Sequence, residues 1–193
     1  MLMQPRSGQG GFTIIEMVVV VAIVGILLAV GVPSYRTWIE NSKTRTAAES
    51  LVSGLSLARS NAIVLNTTVD FQLTALPGSG WQVIQDSCAT SVPPCPAIEA
   101  RQSSEGSGKT ATATVGGVTV TPHDALTNNN VQFNNLGRMI SPVPAGTFTY
   151  FDLTNTRLSA TDARALRVTV DIGGSVRMCD PSVAAATDPR HCP

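Results

Sequence analysis

"GQGGFTIIEMVVVVAIVGILLAVGVPSYR", from Gly8 to Arg36, is the stretch on which the fold turns. Between Phe12 and Val32 it runs for 21 residues with a single charge, Glu16. At 1.5 Å rise per residue, a helix of this length covers ~31 Å, about one hydrocarbon core, so the segment can cross a bilayer once. An acidic side chain at the centre of a membrane helix costs roughly 2.5 to 3.5 kcal/mol and less near an end, so Glu16 still requires a compensating partner. Gly10 and Gly11 stand just before Phe12. Cleavage after Gly11 would create an amine four residues ahead of Glu16, able to stabilise that carboxylate within one helix or across a bundle of such helices. The pairing favours polymers over monomers.

"GFTIIEM", with Gly11, Phe12 and Glu16 at these spacings, resembles the processing site of type IV pilins and of the pseudopilins of type II secretion. The leader "MLMQPRSGQGG", with Arg6 and no acid, and the unbroken apolar run after Glu16 fit the same pattern. The resemblance implies that a prepilin peptidase cuts after Gly11 and methylates the amine of Phe12, and that Glu16 orders subunits during fibre assembly. An ordinary secretory signal is the rival reading. "AVG" at Ala29 to Gly31 is a passable cleavage site that would leave Val32 as the new N-terminus, although the apolar stretch is long for a signal and contains an acid.

About 160 residues follow Val32, enough for a long helix and one modest core. The 13 basic and 13 acidic residues balance, so no global charge favours nucleic acid and any such role must come from a local patch. Cys88, Cys95, Cys179 and Cys192 all lie beyond the apolar run, which suits two disulfides in an oxidising periplasm. The favoured pairs are Cys88 with Cys95 and Cys179 with Cys192, each closing a short loop that contains proline. A zinc site is the alternative, but there is no C-x-x-C spacing and His123 and His191 are scattered, so no metal and no cofactor is expected.

Pro33 removes one helical hydrogen bond and should bend the helix, yet the apolar period resumes beyond it. Ala48, Leu51, Leu55, Ala58, Ala62 and Leu65 recur at spacings of three and four, a single core-facing stripe. After Asn66 the period becomes two. Val69, Phe71 and Leu73 alternate, "PGSG" at Pro77 to Gly80 turns the chain, and Trp81 with Val83 returns it as a hairpin. Residues 103–130 are rich in Ser, Thr, Gly and Asn and read as a mobile edge, with Val118 to Val120 the one strand among them. Further strands are expected at Val131 to Phe133, Phe148 to Leu153, Leu166 to Ile172 and Val176 to Cys179. For the last hairpin, a loop of Gly173 to Ser175 would pair Ile172 with Val176 and Val170 with Met178 inside, and Asp171 with Arg177 outside. Tyr35, Trp38 and Trp81 read as core or interface anchors rather than base-stacking platforms.

The resulting architecture is α+β: residues 1–11 a cleaved leader, 12–32 a transmembrane and fibre-core helix, 33–65 its amphipathic continuation, and 66–193 a periplasmic β-rich domain with one antiparallel sheet against the helix. "LARSNAI" late in the helix, "FNNLGRM" before the later strands and the closing "VRMCDP" and "DPRHC" resemble the FimT and GspH branch of minor pilins and pseudopilins. That resemblance implies a subunit of the inner membrane that primes or caps a type IV pilus or a secretion pseudopilus among other pilins. Some members bind DNA through arginines in a Gly-Arg-x-Arg stretch. Gly174, Ser175, Val176 and Arg177 stand there, so the first arginine is absent. DNA uptake through Arg177 and Arg190, enlarged by Arg164 and Arg167, is the alternative function, weakened because so few phosphates would be neutralised together. Nothing reads as an enzyme: there is no nucleophile and base at a motif spacing, and Asp124 beside His123 reads as incidental.

Overall fold

The computed structural model describes residues 12–75, 79–85, 97–101, 118–122, 130–141 and 148–192. The chain divides into two compact units, Met1–Trp38 and Ile39–Pro193. One helix, α1 (Ile14–Val64, 51 residues), contributes to both and is continuous through Pro33.

In the first unit the helix has no core to cover. Its side chains from Ile14 to Trp38 are exposed wherever described, except half-buried Thr37. Tyr35 and Trp38 stack with ring centroids 6.0 Å apart and remain exposed. No described part of the chain covers them, so they are not core anchors.

In the second unit the expected stripe is a core face. Ala48, Leu51, Leu55, Ala58 and Ala62 are completely buried. Leu65, expected as the last member, is exposed instead, because the helix stops at Val64 and Asn66 takes a left-handed conformation (φ 51°). There the Asn66 N–H donates to the Ile63 carbonyl and the Thr67 N–H to the Ala62 carbonyl. This pair of bonds satisfies carbonyls the helix would otherwise leave open and swings Leu65 off the core side.

The stripe packs against two sheets rather than the single one expected. The first has the order β3-β2-β1-β5-β6, from β1 (Val69–Ala75), β2 (Gly80–Gln85), β3 (Glu99–Arg101), β5 (Asn130–Phe133) and β6 (Met139–Ser141). The second has the order β4-β7-β8-β9, from β4 (Val118–Pro122), β7 (Phe148–Asn155), β8 (Leu166–Asp171) and β9 (Val176–Cys179). All the strand pairings are antiparallel. β3 and β6 have three residues each, too short to show a period, which is why the sequence does not reveal them.

One core joins helix and sheets. Phe71 of the first sheet lies 5.6 Å from Trp81 and 6.3 Å from Phe151 of the second, centroid to centroid. Trp81 is buried and its indole N–H donates to Ser50 Oγ on the helix at 2.9 Å, so the one polar atom of that ring is satisfied. Gly54 permits the approach: a Cβ there would sit 2.8 Å from both the Phe71 and the Trp81 rings. The β1–β2 hairpin has the expected faces, with Phe71 opposite Val83 and Leu73 opposite Trp81. Most of residues 103–130, expected as a mobile edge, lie outside the described residues; β4 falls within them.

The β8–β9 hairpin corrects the expected register. Val170 pairs with Val176, Thr169 with Arg177 and Val168 with Met178, a slip of two residues that keeps Val168, Val170, Val176 and Met178 on one face. The cause is Asp171. Its backbone N–H donates to the Ser175 carbonyl, its carbonyl accepts from Gly174 N–H, and its Oδ1 accepts from Ser175 N–H at 2.8 Å. The turn so closed lifts Ile172 out of the core, and the Ile172 carbonyl accepts instead from Met139 N–H of the first sheet at 3.1 Å. Asp171 is thereby spent on its own turn and does not face Arg177.

Candidate functional site

Thr13 is the N-cap of α1: its Oγ1 accepts from Glu16 N–H at 3.3 Å and its carbonyl accepts from Met17 N–H. Glu16 thus stands in the first turn, where the helix dipole favours an anion. The following window is long and apolar enough to cross a membrane, and none of it is buried inside the chain. Phe12 is 81% exposed, and Gly11 lies outside the described residues. Among the described residues, the result is an uncovered apolar cylinder with one acid at its head.

The four arginines singled out for nucleic acid do not form one free patch. Arg167 is bound bidentately to Asp152, at 2.7 Å from Nε and 2.9 Å from Nη2, and its guanidinium carbon lies 3.7 Å from the Tyr150 ring centroid. The hydrogen bond to Asp152, opposed by partial burial, holds the Arg167 guanidinium above its ordinary pKa. Arg190 is likewise bidentate to Asp188, at 3.1 and 2.8 Å. The side-chain and backbone donors of Arg190 hold the Asp188 carboxyl at about 2. Arg177 and Arg164 are exposed and, among the described residues, within ion-pair reach of no carboxylate. The Arg164 backbone N–H is used by Asn41 Oδ1 at 2.9 Å. The counter-charge expected beside Arg177 is absent among the described residues.

Cys179 and Cys192 are joined as expected, closing the C-terminal loop across 13 residues. Cys88, Cys95, His123 and Asp124 lie outside the described residues. His191 sits inside the disulfide loop, its Nδ1 2.7 Å from the Val183 carbonyl oxygen, while Asp180 and His191 form a bridge that covers the end of β9. No group of His, Cys, Asp and Glu suited to a metal occurs among the described residues.

One junction was not anticipated. Arg59 Nε donates to the Gly137 carbonyl at 3.1 Å, and Gly174 packs against that same carbonyl so tightly that a Cβ would collide with it. Both glycines have positive φ, 71° and 78°. "LARSNAI", "FNNLGRM" and the glycine turn before Arg177, three separate stretches in sequence, therefore meet around one oxygen. The signal was present as an arginine and two glycines in those stretches, but nothing in one dimension says that they touch. In this chain Gly174 has a packing reason for being glycine.

A family model for the type II transport protein GspH matches residues 47–174, well over half of the chain, and the prokaryotic N-terminal methylation motif matches residues 6–32. The chain belongs to the GspH family. It is a type IV pilin-like protein that carries the N-terminal methylation motif. Among curated relatives, a fimbrial protein of Pseudomonas aeruginosa is 38% identical over 92 residues, 41% of this chain and 60% of that one. A type IV major alpha-pilin of Moraxella bovis is 42% identical over 48 residues, 25% of this chain and 30% of that one. The GspH-family chain thus spans less than two thirds of the length of these relatives. The crystal structure of the type IV minor pilin FimU of P. aeruginosa superposes with a TM-score of 0.53 at 17% identity, covering 77% of this chain and 97% of that one, and shows a shared fold.

Proposed function

We propose that this GspH-family chain is a minor, membrane-anchored fibre subunit with no chemistry of its own, which takes part in initiating or capping a type IV pilus or a type II secretion pseudopilus. A prepilin peptidase removes the leader after Gly11 and methylates Phe12. The subunit then sits in the inner membrane as a single-pass protein, its β-rich domain in the periplasm, until it joins the fibre. The observation that carries this reading is the helix from Ile14 to Trp38, uncovered by its own chain, with Glu16 at its capped start. An apolar cylinder in this state is stable in lipid or beside other cylinders like it, and an acid at its head favours a neighbour that brings an amine.

Replacing Glu16 by Ala tests it. The expected outcome is a processed protein, beginning at Phe12 by mass spectrometry, that is lost from sheared fibres while remaining in membranes. Wild-type incorporation, or a chain recovered with its leader uncut or beginning at Val32, would overturn the proposal. The DNA-uptake alternative draws no support from the arrangement, since Arg167 and Arg190 are already neutralised by Asp152 and Asp188.

A further inference from the structure

Only two charges stand between Phe12 and Ile39: Glu16 and Arg36, 20 residues apart. In the continuous helix α1 that separation is ~30 Å, the thickness of one hydrocarbon core. Apart from Ser34 and Tyr35, every residue between them is apolar, glycine or proline. When Arg36 stands at one face of such a slab, Glu16 therefore stands at the other.

The Arg36 end carries further groups of the kind a bilayer boundary holds. Tyr35 and Trp38, three residues apart, share a helix face and stack with centroids 6.0 Å apart, and they are 61 and 64% exposed. Each ring is apolar in body with one polar atom at its edge, which suits the depth where acyl chains give way to headgroups. Arg36 is exposed and, among the described residues, within ion-pair reach of no carboxylate. Its guanidinium can take a lipid phosphate with two donors at once. A helix packed only against other helices has no need of charges one hydrocarbon core apart; a lipid slab imposes that spacing. The other tryptophan, Trp81, is buried and bonded to Ser50, so it has no part in this boundary.

Resting on the membrane-anchored reading above, we infer that Tyr35, Arg36 and Trp38 form an interfacial anchor that binds the headgroup boundary of a phospholipid bilayer and fixes the depth of α1 before the subunit joins a fibre. The rings fill the boundary and Arg36 meets phosphate. Glu16 is then held at the opposite boundary, within reach of headgroups, so its charge needs no amine while the helix is in lipid. The cost of that acid falls on departure from the bilayer.

The test uses the full-length chain in vesicles of phosphatidylethanolamine and phosphatidylglycerol, sparse enough in protein to hold single subunits, with a nitroxide either near the headgroup or at the chain end of a tracer lipid. The fluorescence lost on Trp38→Phe is the Trp38 signal; the remainder is Trp81, the internal control. The expected result is Trp38 quenched more strongly by the shallow nitroxide, with Trp81 quenched by neither. Ile26→Trp in the Trp38→Phe chain, near the middle of the span, should reverse that preference. Arg36→Glu should at least halve the shallow quenching of Trp38, and Arg36→Lys should restore most of it. Deep quenching of the Ile26→Trp chain with Trp38 touched by neither nitroxide, or with Trp38 quenched best from the deep site, would refute the anchor and spare the membrane reading. No quenching at either position would refute both. Unchanged quenching of Trp38 in Arg36→Glu would also overturn the inference.

Discussion

The two halves of α1 are the same secondary structure held in opposite ways. From Ile14 to Trp38 nearly every described side chain is exposed, and most of them are apolar. From Ile39 to Val64 the residues are more polar, yet the apolar stripe of Ala48, Leu51, Leu55, Ala58 and Ala62 is completely buried under two sheets. Apolar content and burial are thus inverted along one helix. The lesson is that the first half is built for an environment outside the chain, and the second for one the chain supplies.

That contrast can be broken by truncation. Leu55→Ala should destabilise the globular unit by ~2–5 kcal/mol, because a filled site in a packed core is emptied. Leu27→Ala, in the exposed half, should leave the melting of the full-length protein in detergent within ~0.5 kcal/mol of wild type. Equal effects at the two positions would mean that the halves are not held differently.

Reduction of the C-terminal staple comes next in size. Replacing Cys179 and Cys192 together by Ser should lower stability by about 3 kcal/mol, the loop-closure effect for a bridge spanning 13 residues. Thermal melting of the double variant measures it, and α1 before Trp38 should keep its helical signal.

Gly174→Ala sharpens the comparison at the junction of helix and sheets. A Cβ there meets the Gly137 carbonyl in a left-handed conformation, so a loss of ~1–3 kcal/mol is expected. Gly173→Ala is the control, since its Cβ would meet only Asp171 Oδ1, at 3.2 Å, and its effect should be smaller.

The smallest effect concerns the first residues of the buried half. Burial alone would raise the Glu40 carboxyl, but hydrogen bonds from Lys43 and Asn155 and the charges of Lys43 and Arg157 outweigh it and hold Glu40 below its ordinary value. A folded-state pKa lowered in this way contributes stability that is complete above the ordinary glutamate value of 4.5 and is lost as pH falls through the lower folded value. Glu40→Gln should therefore flatten the stability of the protein between about pH 5 and 3, measured by denaturant unfolding, and leave its fall outside that window unchanged.

Much of this was legible in one dimension because it depends on local periods. The membrane-length run, the acid at Glu16, the stripe from Ala48 to Ala62, the β1–β2 hairpin and the Cys179–Cys192 bridge all follow from spacing and composition. What failed did so where a single residue overrode a period. Asn66 ends the helix before Leu65 can reach the core, and Asp171 closes a longer turn than the glycines alone suggest. Tyr35 and Trp38 stay exposed because no part of the described chain comes to cover them.

The sequence by itself determined an apolar helix with an acid at its head, followed by a helix face and alternating strands, since these depend on periods of 3.6 and 2 that neighbouring residues impose. Only the tertiary structure decided that the strands divide into two sheets, that Arg59, Gly137 and Gly174 share one carbonyl oxygen, and that Arg167 and Arg190 are neutralised by Asp152 and Asp188. Those are contacts between residues far apart in the chain or set by turn geometry, and their energies exist only once packing has brought the partners within a few ångströms.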